Sequence, residues 1–126
     1  MLHHIENKTN ERIPRIPFRK ITDYTLGPHY ELSLAFVDHK RSKELNRRYR
    51  HKNSEANILS FPFTKNEGEI LIDIKTVKKE AAMLKEKNRS YLTYIFIHGL
   101  VHLKGFDHGS KMEGEEEGIR KKFSEK

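Results

Sequence analysis

YLTYIFIHGLVHLKGFDH, residues 91–108, is the stretch on which the fold turns. From Tyr91 to Lys104 it is apolar almost all round, and a helix without a polar face belongs in a core. Ser90 is placed to cap its start. Gly105 stands where a left-handed C′ glycine ends helices, so the chain can double back beyond it. Two histidines, His98 and His102, sit four residues apart in this run. Their side chains therefore share one face, one turn apart. Buried imidazoles each need a polar partner. His108 follows the turn and completes an H-x3-H-x5-H set.

The flanking sequence supplies the rest of one domain, residues 1–126. Strands are expected at Leu2 to Asn7 and at Glu31 to Val37, where Leu32, Leu34 and Phe36 alternate onto one face. A short helix is expected from Phe18 to Tyr24, between the Pro14/Pro17 pair and Gly27-Pro28. Asp38 can cap a helix reaching Arg50, with Leu45 and Tyr49 as its narrow apolar seam. Ile58 to Phe61 and Glu69 to Ile72 read as strands separated by a polar loop, Thr64 to Gly68. Asp73 can cap a helix to about Lys87 along the stripe Ile74, Val77, Ala81, Leu84. A last helix runs from Met112 to Phe123. The expectation is an α+β fold: one compact domain whose small mixed sheet packs with helices, the central apolar helix carrying the metal site.

Composition limits the chemistry. With no cysteine in the chain, disulfides and thiolate sites are excluded, and metal ligands must be His, Asp or Glu. A reducing, cytoplasmic compartment fits this. The amino-terminal segment shows no run of signal-peptide character, and no segment approaches a membrane span. The net charge of +7 points towards polyanions. It is concentrated from His39 to Lys52, where seven Lys or Arg accompany a single acid. Such a patch is the footprint expected of nucleic-acid contact.

Three neutral imidazoles around one Zn²⁺, or another divalent transition metal, leave a fourth position open, the catalytic arrangement. The spacing matches zinc proteases reading H-E-x-x-H-x-x-G-x-x-H, but Gly99 stands where those enzymes carry glutamate. A helix-interior glycine costs about 1 kcal/mol relative to alanine, so a closely approaching segment or ligand should offset it. Peptide hydrolysis wants that carboxylate. A phosphodiester can instead be served by a metal and a cation that neutralise charge on phosphoryl oxygens. Asp107 is a candidate to orient a ligand. His3, His4, His29, His39 and His51 lack metal spacing and read as surface residues.

These residues resemble a specific family. HGLVHLKGFDH is similar to the YbeY signature H-G-x-L-H-L-x-G-Y-D-H, with Val101 for leucine and Phe106 for tyrosine. LNRRYRHKNSEANILSFPF (Leu45 to Phe63) resembles the family block L-N-x-x-Y/F-R-x-K-D-x-P-T-D/N-V-L-S-F-P. GEILIDI (Gly68 to Ile74) resembles its G-D-I-x-I strand. The likeness runs from about Leu2 to Phe123. Asn53, Glu55, Ala56 and Glu69 depart from the pattern, which puts in doubt how the 53–57 loop is held.

The resemblance implies a bacterial metal-dependent endoribonuclease (a hydrolase) that cuts single-stranded RNA in small-subunit rRNA processing and ribosome quality control. It implies His98, His102 and His108 as ligands of one zinc-type ion and Arg50 as the functional arginine, whose planar fork suits a phosphate oxygen. Arg47, Arg48 and Lys52 are candidate RNA-backbone contacts. Partners would be small-subunit rRNA and ribosome-associated proteins, with no membrane; oligomeric state is not legible. Two alternatives stay open: a ribosome-associated RNA-binding module with a structural zinc site, and a metalloprotease.

Overall fold

The computed structural model describes residues 1–50, 56–106 and 109–123, without the side chains of residues 49 and 50. Four strands, β1 (Leu2–Asn7), β2 (Glu31–Val37), β3 (Ile58–Thr64) and β4 (Glu67–Asp73), form one sheet in the order β1-β2-β4-β3. The β1–β2 and β2–β4 pairs are parallel and β3–β4 is antiparallel. The sheet is therefore mixed, as expected. Helices α1 (Phe18–Leu26), α2 (His39–Arg50), α3 (Ile74–Met83), α4 (Asn88–Leu103) and α5 (Ser110–Phe123) complete the domain.

Alternation along the strands sorts the helices onto two faces. Leu32, Leu34 and Phe36 of β2 and Ile70 and Ile72 of β4 pack with α1, α3, α4 and α5 in the main core. Ala35, Val37, Leu59 and Leu71 point the other way and meet Leu45 of α2. The α4 helix is the centre of the main core, burying Leu92, Ile95, Phe96, Ile97, Leu100 and Val101. Its apolar circumference is thus satisfied by neighbours on several sides.

Two side-chain caps start helices where the sequence places them. The amide of Arg41 donates to Asp38 Oδ1 at 2.8 Å, and that of Thr76 to Asp73 Oδ1 at 3.1 Å. Asp73 is fully buried and also lies 2.9 Å from His39 Nδ1, tying α2 to α3. His39 thus lies at the surface, its side chain 41% exposed, while its ring contacts a buried carboxyl group.

Four boundaries differ from expectation. The expected polar loop at 64–68 shrinks to Lys65-Asn66, because ladder pairing continues to Thr64 and Glu67. The α3 helix ends at Met83, and Leu84 is exposed rather than part of the apolar stripe. Its end is a Schellman turn in which Glu86 N donates to Ala81 O, Lys85 N donates to Ala82 O, and Lys85 sits at φ +57°. The α4 helix begins at Asn88 without a side-chain cap, so Ser90 lies in its first turn. The α1 helix runs on to Leu26 and stops at Gly27.

Candidate metal centre

His98 and His102 lie on the same side of α4, with ring centroids 4.7 Å apart and planes nearly perpendicular. Both are half-buried. The helix ends just beyond them in a second Schellman turn, in which Phe106 N donates to Val101 O and Gly105 N to His102 O. Gly105 takes φ +105°, the left-handed role expected of it.

Packing fixes the helix against the sheet. A Cβ on Gly99 would lie 2.5 Å from Ile58 Cδ1 and 3.1 Å from Ser60 Oγ, and Ser60 Oγ donates to the Gly99 carbonyl at 3.3 Å. Close approach of β3 is thus what offsets the glycine. A glutamate has no room there, so the change from the protease pattern follows from packing as well as chemistry.

The opposite side of His98 meets α5. Its Nδ1 lies 2.9 Å from Glu116 Oε1 and 3.2 Å from Oε2. Glu116 is only 5% exposed, so its carboxylate needs a partner inside the protein. In the tautomer that donates Nδ1–H to this carboxyl group, the ring's lone pair is on Nε2, the atom then able to ligate a metal. Lys104 Nζ also binds Glu115 Oε1 at 2.7 Å, joining the same two helices nearer the end of α4. Sequence reading missed Glu116, which is hidden in the run EGEEEG. The spacing Met112, Glu116, Ile119 carries the signal, since it puts one glutamate on the buried stripe.

Tyr94, one turn before His98, has its ring 6.3 Å from the imidazole. The Arg120 guanidinium stands 4.6 Å above the Tyr94 ring. Burial, reinforced by Glu116 and partly opposed by Arg120, raises the Tyr94 pKa above its ordinary 10. The phenol therefore keeps its proton at neutral pH.

The expected site residues divide as follows. His98 and His102 are together, whereas His108, Asp107 and Lys52 lie outside the described residues. Among the described residues no group of three His, Cys, Asp or Glu could hold a metal. The histidine pair fits a divalent transition metal: two imidazoles one turn apart, one of them oriented by a buried carboxylate. Arg50 ends α2, its side chain outside the described set. Arg47 and Arg48 are exposed. Arg47 lines a shallow groove with Lys40, Lys43 and Glu44, on the helix that covers the sheet face opposite α4.

Comparison with known proteins agrees with the sequence motifs. The family model "Endoribonuclease YbeY" matches residues 3–125. An Agrobacterium fabrum endoribonuclease YbeY is 38% identical over 68% of this chain and 56% of its own length. One from Janthinobacterium is 33% identical over 88% of this chain and 77% of its own. The chain spans 56%, 61% and 63% of the length of three such relatives. The fold is similar to the solution structure of a Thermotoga maritima protein, with a TM-score of 0.67 and 19% identity over 94% of this chain and 86% of that one. The signature around His98 and His102, the matched span and the mixed-sheet fold agree, and this chain belongs to the endoribonuclease YbeY family.

Proposed function

We propose that this protein is a metal-dependent endoribonuclease that cuts single-stranded RNA in the cytoplasm during small-subunit rRNA processing and ribosome quality control. The observation that carries the metal-dependent part is the His98–His102 pair with the buried Glu116 carboxylate on His98 Nδ1. A carboxylate behind a histidine sets ring orientation and raises ligand basicity at metal sites.

In this reading His98, His102 and His108 hold one zinc ion or another divalent transition metal, and Asp107 helps orient that set. When bound, the metal supplies Lewis-acid polarisation of a phosphoryl oxygen and an activated water. The protein's own groups do the rest. Glu116 fixes the His98 tautomer. Arg50 binds the scissile phosphate through its permanent charge. Arg47, Arg48 and Lys52 bind neighbouring phosphates, which makes affinity fall with salt. No described helix is long and apolar enough to cross a membrane.

The test is cleavage of single-stranded rRNA fragments by metal-loaded protein and by a His102→Ala variant. Cleavage that follows the metal and disappears in His102→Ala supports the reading. Equal cleavage by both proteins would point to a contaminating nuclease and overturn it.

A further inference from the structure

We propose that the pocket where the segment between β1 and α1 meets α3 and the start of α4 binds a backbone phosphate of RNA, away from the point of cleavage. The inference rests on the RNA substrate of the proposed function and adds a place where that substrate is held. Its sequence signal is a second basic run: from Lys8 to Lys20 there are five Lys or Arg and one acid, Glu11. Pro14 and Pro17 stiffen the run, because each fixes φ. Ile13 packs against the main core and Ile16 is buried, whereas Arg12 and Arg15 are exposed. The isoleucines thus anchor the backbone, and both guanidinium groups reach the surface from a fixed support.

Arg12 and Arg15 line a pocket of about 490 Å³ together with Ile13, Pro14, Lys78 of α3 and Asn88 of α4. Lys78 is already balanced, because its Nζ lies 3.2 Å from Glu11 Oε1. Among the described residues neither arginine has an ion-pair or hydrogen-bond partner, and no acid lines the pocket. Two arginine charges therefore stand unbalanced in one concavity. Held on a stiff backbone, they lose little freedom when an anion docks between them. Their forked donors match phosphate oxygens, and asparagine is among the neutral side chains that bond to phosphates. RNA is the polyanion this points to, since the chain belongs to a family of endoribonucleases. Asn88 and His98 are ten residues apart on one helix, roughly 15 Å. The pocket thus takes a phosphate other than the one at the histidines, and it extends the RNA footprint to the far end of α4.

The experiment measures binding of a labelled 2′-O-methyl oligouridylate to the purified full chain by fluorescence anisotropy over a range of salt. Oligonucleotide integrity is checked on a gel and protein folding by thermal unfolding. The variant Arg12→Gln/Arg15→Gln is compared with Lys20→Gln/Lys65→Gln, which removes equal charge from exposed positions elsewhere. The pocket variant is expected to lose about tenfold in affinity, and its log–log salt slope should flatten by about one, at roughly 0.7 for each lost phosphate contact on a single strand. Glu11→Gln releases Lys78 to the pocket and should tighten binding more than Glu31→Gln, an exposed control. That arm decides the matter if the double variant does not fold. Equal losses from the two double variants, or equal gains from the two glutamate variants, would overturn the pocket. Displacement by polyglutamate as readily as by unlabelled RNA would overturn RNA as its occupant. Wild-type protein that binds but never cuts rRNA would sink the nuclease reading, while the pocket is still decided by the binding comparison.

Discussion

His98 Nδ1 lies 2.9 Å from Glu116 Oε1, joining the histidine of the core helix to a carboxylate on the last helix that is only 5% exposed. Glu116→Ala is expected to weaken metal binding about 10- to 100-fold, with Glu116→Gln in between. Competition with a chromophoric chelator measures this without any RNA. Unchanged affinity in Glu116→Ala would reduce the contact to simple packing.

Gly99 sets how closely α4 approaches β3. Gly99→Ala gains about 1 kcal/mol of helix propensity. It also forces a Cβ within 2.5 Å of Ile58 Cδ1, and overpacking of this kind costs about 1–3 kcal/mol. The net effect in denaturant unfolding is expected to be destabilising. Because Cδ1 is the far end of a flexible side chain, adding Ile58→Val should recover part of the loss. Strict additivity of the two substitutions would contradict that geometry.

Lys85 closes α3 in the left-handed region at φ +57°, a conformation that costs an L-residue roughly 1–2 kcal/mol. Glycine adopts it freely but loses entropy from the unfolded chain. Lys85→Gly is therefore expected to stabilise by about 0.5–1 kcal/mol, seen as a higher denaturation midpoint at constant m-value. A lower midpoint would mean that the Lys85 side chain contributes contacts outweighing the backbone cost.

Tyr91 governs part of the alkaline limit. Burial, with the nearby Glu80 carboxylate, pushes its pKa up to about 12, and its hydroxyl donates to Glu80 Oε1 at 3.1 Å. Folding favours the neutral phenol. The stabilisation is complete below the unfolded value near 10 and is lost as pH rises from there through about 12. Stability measured from pH 9 to 12 should fall, and Tyr91→Phe should make that fall shallower. At neutral pH the same variant should cost about 1 kcal/mol for the lost hydrogen bond.

What the sequence makes legible follows from periodicity. The α4 helix, its histidine pair and the glycine that ends it are local patterns, and each appears where spacing places it. The two aspartate caps are likewise local. The ends of α3 and of the β3–β4 turn are not, because Lys85 adopts left-handed geometry without glycine and strand pairing overrides a polar composition. Glu116 is hardest to find. A run of six glutamates and glycines, residues 113–118, looks solvated, and only packing of α5 singles one out. Basic charge on α2 is plain in the sequence, but the sheet lying between that helix and α4 is a property of topology.

His98 and His102 are carried by the element most enclosed by the rest of the domain. Shifting them relative to each other means breaking the helix that organises the core. Under the proposed function, turnover would be accommodated around a stationary pair of ligands, with substrate arriving, bending and departing while α4 keeps its place. Surface segments can then vary without disturbing the spacing of His98 and His102 on α4.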